Sequence, residues 1–149
     1  MKKFAFSLQK LLDYKEQIFD IERSVLADMR AVLARLEQEL TEMKDDQAAR
    51  AGELRQKMMK GIPAIEMETH KNYLTMLDFS IKQKIQQIEM QKTVIEKQAE
   101  KVREAKIDIS TMEKLKERKL EEYNHAVSKA EEIFIEEFVN NANLAKEAI

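Results

Sequence analysis

Apolar residues along this chain return at alternating spacings of three and four. Leu8, Leu12, Phe19, Leu26, Met29, Leu33, Leu36, Leu40 and Met43 belong to one such series. Leu74, Ile81, Ile88, Ile95, Val102 and Ile109 recur every seventh residue. A seven-residue repeat on a helix of about 3.6 residues per turn keeps one apolar seam facing a partner helix. Between the two series stands Gly61-Ile62-Pro63, where the chain's glycine and proline meet. Gly61 suits the left-handed position that ends a helix, and Pro63 stops the helix from continuing. The pattern predicts an all-α fold, a long two-helix antiparallel coiled-coil hairpin in a single domain spanning 1–149. Helix 1 is placed at about 7–58, with Ser7 as its cap, the hinge at about 59–65 and helix 2 at about 66–140. Gly52, inside helix 1, is a soft point of about 1 kcal/mol relative to alanine.

Folding the chain about Ile62 sets Leu12 opposite Met112, Met29 opposite Ile95, Leu36 opposite Ile88 and Met43 opposite Ile81. Phe19 then faces Ala105, while polar Lys15, Gln98 and Gln91 meet Ile109, Leu26 and Leu33. Polar groups at seam positions weaken the core but disfavour other registers. Leu11, Ile18, Val25 and Val32 form a second column, which either widens the packed face or receives a partner helix.

Helix 2 outlasts helix 1. Beyond about residue 117, Leu120, Tyr123, Val127, Ala130, Phe134 and Phe138 continue the stripe with no chain left to cover them. Each large apolar side chain among them forgoes about 1.5–3 kcal/mol by staying wet. Such an overhang frays, bends back or enters a partner, and insertion into a partner is the expectation adopted. Glu121-Glu122, Glu131-Glu132 and Glu136-Glu137 give it an acidic surround, and Phe4 and Phe6 lie beside its root. Tyr73 and Phe79 stand off the helix 2 stripe near the hinge as recognition candidates.

Composition narrows the chemistry. The formal charge is −2 and basic and acidic residues interleave, so no basic field for nucleic acid is expected. Cysteine is absent, which removes disulfides and thiolate metal sites. Lys10, Asp13 and Lys15 interrupt any signal-peptide apolar region, and no run approaches the ~20 apolar residues of a membrane span. A cytoplasmic protein without direct membrane insertion is expected. His70 and His125 are far apart in sequence and have no ligand-spaced companions. Two helices offer no concave pocket in which a nucleophile, base and acid converge. The expectation is a protein that binds rather than catalyses, with no cofactor or metal.

The opening Phe4-Ala5-Phe6-Ser7-Leu8-Gln9-Lys10-Leu11-Leu12 resembles the start of the flagellar type III export protein FliJ family. So do the Gly-Ile hinge, Tyr73-Leu74 and Leu77 beyond it, the Glu113–Arg118 stretch and an acidic, aromatic C-terminal helix. The resemblance covers nearly the whole chain and rests on the ordered combination. It implies a non-catalytic stalk that inserts into the hexameric export ATPase, promotes its assembly and couples it to the membrane export gate. It further implies peripheral association with the cytoplasmic face of the inner membrane, and in some members contact with export chaperones. Carried onto this sequence, the ATPase side comprises Phe4, Phe6, Leu8, Leu12, Leu115, Leu120, Tyr123, Val127, Phe134 and Phe138. The gate side comprises Met43, Tyr73, Leu77 and Lys84. Asp46 and Arg50 are charged where some relatives are expected to present apolar or aromatic residues. The rival readings are a virulence-type secretion stalk, a prefoldin-like holdase chaperone, and a parallel dimeric spacer.

Overall fold

The computed structural model describes residues 2–148. Two helices, α1 (Gln9–Lys60) and α2 (Ala64–Glu147), pack against each other as an all-α hairpin. Both are rich in Ala, Leu, Glu, Lys and Gln, which lose little rotamer freedom in a helix. Among the described residues no strand occurs.

The ends depart from the sequence expectation for local reasons. The Leu12 amide donates to the Leu8 carbonyl at 3.0 Å, so Leu8, not Ser7, occupies the cap position. A turn from the Gln9 amide to the Phe6 carbonyl at 3.1 Å precedes it. At the hinge Gly61 takes φ 86°, and its amide bonds the Met58 carbonyl at 3.3 Å. The Pro63 carbonyl accepts the first bond of α2 from Met67 at 3.1 Å, so only residues 61–63 separate the helices. Lys57 and Lys60 in the last turn of α1 and Glu66 in the first turn of α2 oppose the helix dipoles. Helix 2 continues to Glu147 instead of ending near 140, because Asn140-Asn141-Ala142-Asn143-Leu144-Ala145 contains neither glycine nor proline to stop it.

The hairpin divides into two compact units, between Asp20 and Ile21 on α1 and between Val102 and Arg103 on α2. The hinge unit, residues 21–102, buries Leu26, Leu36 and Leu54 of α1 with Leu77, Ile81 and Ile88 of α2. Gln98 is buried too, its amide donating to the Glu22 carbonyl at 2.9 Å and to its carboxylate at 2.5 Å. Gln91 donates to the Met29 carbonyl at 3.0 Å, so the seam glutamines are anchored across the hairpin rather than left unpaired. Ile95 and Val102, a turn to either side of Gln98, are only partly buried.

The terminal unit holds a second core of Phe6, Leu12, Ile109 and Met112, with Phe4, Phe19 and Leu115 packed on it. Ala105 is buried, leaving space for the larger Phe19 ring, over which the Lys106 ammonium sits 5.5 Å from the centroid. Lys15 pairs with Asp108 at 3.5 Å, and Lys116 donates to Gln9 at 2.8 Å. Each cross-hairpin pair in either unit lies within about a turn and a half of the partner expected from folding about Ile62, the reach of a long side chain.

Leu8 does not join the seam. It is 39% exposed because it precedes the first helical turn, and Phe6 fills the place instead.

Candidate functional site

The terminal unit builds its notable surface in three steps. Residues 2–8 run back over α2, where the Phe4 ring meets the Tyr123 ring at 5.6 Å between centroids. The Tyr123 hydroxyl donates to the Lys2 carbonyl at 2.5 Å. Phe4 and Phe6 therefore staple the hairpin end, and the covered part of α2 reaches Tyr123, further than α1 alone would carry it.

Past Tyr123 the described residues of α2 are exposed, with Val127 the exception. Val127 is half-buried, while Phe134 and Phe138 are exposed by 69% and 67%. Val127, Ala130, Glu131, Phe134 and Ile135 line a shallow hollow of about 360 Å³. The expected stripe is present, and the apolar surface extends beyond it. Ile133, Ile135, Val139 and Leu144 are also exposed. Ile133 and Ile135 project about 100° to either side of Phe134, so the tip is apolar around much of its circumference. The consecutive run Ile133-Phe134-Ile135 was the sequence signal for this, since a seam-facing helix rarely carries three large apolar residues in a row. Residues 120–147 carry seven glutamates against Lys129 and Lys146, a formal −5.

The ATPase-side candidates therefore fall into two groups. Phe6 and Leu12 are buried, and Phe4, Leu115 and Tyr123 partly so, which makes them the frame of the tip. Leu120, Val127, Phe134 and Phe138 form its surface, with Leu8 exposed apart from them at the entrance to α1.

In the hinge unit the four gate-side candidates lie along the seam and its border. Leu77 is buried and Met43 half-buried. The Lys84 ammonium sits 2.7 Å from a Glu39 carboxylate oxygen, and that hydrogen bond holds the Glu39 carboxyl below its ordinary pKa. The Tyr73 hydroxyl donates to Asp46 at 2.9 Å, which raises the phenol's pKa, and Arg50 lies 5.3 Å over the same ring. Asp46 and Arg50 thus serve to clamp Tyr73, and this accounts for charge at those positions. Exposed apolar groups nearby include Phe79, at 62%, Met76 and Ile85. His70 accepts from Lys57 at 3.4 Å at the hinge.

Among the described residues no helix is long and apolar enough to cross a membrane, and no group of three metal-ligand side chains occurs. The family model described as Flagellar FliJ protein matches residues 4–147, nearly the whole chain. The chain belongs to the FliJ family. FliJ membership makes it a component related to flagellar protein export. The match takes in the Phe4–Tyr123 staple, the hinge and almost all of the tip. No curated protein and no solved structure matches this FliJ chain.

Proposed function

We propose that this FliJ-family chain is the non-catalytic stalk of the flagellar export ATPase. Its α2 tip enters the hexameric ring, promotes ring assembly and transmits turnover to the export gate. The observation that carries the reading is the tip itself, a helix already formed, exposed, and apolar on more than one side. A helix docking on a flat partner needs one apolar stripe. A helix surrounded by a ring is contacted from several sides, which suits Ile133, Phe134, Ile135, Phe138 and Val139 together. The acidic surround selects a ring lined with basic groups and steers the approach.

The gate contact is assigned to the hinge unit around Tyr73 and Lys84, with Met43 and Leu77 supporting them from the seam. Phe79 and Met76 supply exposed apolar area there. The protein acts in the cytoplasm, held to the inner membrane's cytoplasmic face through the apparatus, and export chaperones are further partners. Three hinge residues leave no room for the strand-forming arms of a prefoldin-like holdase.

The test adds the purified chain to the flagellar export ATPase of the same organism and follows hydrolysis and ring formation together. Stimulation with assembly, lost in Phe134→Asp, is expected. An ATPase indifferent to the wild-type chain overturns the stalk reading.

A further inference from the structure

The hollow on the α2 tip has the geometry of a receptor for a single side chain. Val127, Ala130, Glu131 and Phe134 stand at i, i+3, i+4 and i+7. Four residues so spaced on one helix face form the hole that takes one knob in coiled-coil packing. Ile135 extends the wall, and the small Ala130 leaves the floor low between the larger Val127 and Phe134. All of them except the half-buried Val127 are exposed, so the hole is open.

The lining decides what the knob is. Four of its side chains are apolar and the fifth is a carboxylate. Among the described residues Glu131 has no hydrogen-bond or ion-pair partner, and it stands in a segment of formal charge −5. An apolar knob fills the hole but shuts that carboxylate from water with nothing to pair it, which is costly. An acidic knob is repelled, and a short polar one leaves the apolar walls wet. A long basic side chain meets both demands. Lysine and arginine lay an apolar stem along hydrophobic surface and keep their charge at its edge. The Phe134 ring beside the carboxylate presents a face that attracts the same cation.

We propose that the Ala130 hole takes one lysine or arginine side chain of the export ATPase ring, its stem between Val127 and Phe134 and its charged head on the Glu131 carboxylate. The proposal rests on the stalk reading and gives it a point of contact. Of the seven glutamates in residues 120–147, Glu131 makes a specific pair, while the others supply a diffuse field.

The experiment titrates ATPase hydrolysis with the full chain, wild type beside Ala130→Phe, Glu131→Gln and Glu132→Gln, each checked for helicity. Ala130→Phe fills the hole from within yet adds apolar surface, so a merely hydrophobic contact would gain from it. The expected result is a rise of at least about tenfold in the concentration for half-maximal stimulation. Glu131→Gln raises it about tenfold. Glu132→Gln removes the same charge about 100° around the helix and raises it by at most about threefold. Unchanged or improved stimulation by Ala130→Phe overturns the proposal. Equal shifts for Glu131→Gln and Glu132→Gln also overturn it, because the acidic tip would then act as a diffuse field alone. A wild-type chain that does not stimulate overturns the stalk reading and this contact with it, so the two failures are told apart by the wild type.

Discussion

Leu12 and Leu11 are the same residue type on consecutive positions of α1, yet their burial differs more than tenfold, 3% against 42% exposed. Leu12 packs with Phe6, Ile109 and Met112, and Phe4, Phe19 and Leu115 close around that group. Leu12→Ala removes three buried carbons, worth about 2.4 kcal/mol at roughly 0.8 kcal/mol each. The void adds to this where neighbours cannot move, but a two-helix seam open to water on its flanks relaxes more easily than a closed core. The expected loss is about 2–3 kcal/mol, in the lower half of the range for such deletions. Leu11→Ala is expected to stay within about 0.5 kcal/mol.

The assay is urea denaturation followed by helical circular dichroism, both variants beside the wild type. Met112→Ala added to Leu12→Ala tests the packing directly. Residues in contact share one void, so the double loss departs from the sum of the two singles by about 0.5 kcal/mol or more. Equal losses for Leu11→Ala and Leu12→Ala would refute the seam assignment, because they would mean that burial on this face does not follow the heptad.

The glycines are expected to respond with opposite signs: Gly61→Ala forces φ 86° on a side chain and costs about 1–2 kcal/mol, whereas Gly52→Ala, with open space around its Cβ, gains about 0.5–1 kcal/mol, both read as shifts in denaturation midpoint. Phe134→Asp leaves the midpoint within about 0.5 kcal/mol of wild type while abolishing ATPase stimulation; a large stability loss would mean that the tip is packed within the chain. Because the Lys84 hydrogen bond holds the folded Glu39 carboxyl below its ordinary pKa, the pair's contribution is complete above the ordinary carboxylate range and is lost as pH falls through the lowered folded value. Glu39→Gln should therefore flatten the acid limb of the stability profile in that window and leave neutral pH little changed; an unchanged limb would show that the pair does not couple to folding. Tyr123→Phe removes the hydroxyl donated to the Lys2 carbonyl and is expected to speed amide exchange in residues 2–8, with the rest of the exchange profile unaltered.

The two-helix hairpin and its turn were legible because the seven-residue period and the Gly61-Ile62-Pro63 break are local signals that need no long-range information. The register followed from the hinge position, and long side chains such as Gln98 and Tyr73 then shifted individual contacts by about a turn. What periodicity cannot show is which half-buried groups find partners. Asp46 looks like a solvated charge in the sequence and proves to anchor Tyr73; Gln98 looks like a weak seam position and is among the most buried residues of α2. Leu8 fits the stripe by spacing and misses the seam because the chain has not yet entered the helix there. At the tip the stripe was legible from its spacing; its breadth has a signal only in the consecutive Ile133-Phe134-Ile135, which seam periodicity does not read.

The tip stays helical without a packed neighbour because it is not an independent helix. Starting a helix is the unfavourable step, and α2 has already taken it where Ile109 and Met112 are locked against Leu12 and Phe6. Each residue beyond Tyr123 only adds one hydrogen bond to an existing ladder, and no glycine or proline interrupts the run to Glu147. A partner that encloses this segment therefore meets a surface already ordered, and spends little of its binding energy on folding it. Under the proposed docking, the Phe4–Tyr123 staple therefore matters through the order it gives the tip. Loosening it lengthens the unsupported helix and raises the chance of fraying at its end, which under the proposed docking weakens binding without removing a contact residue.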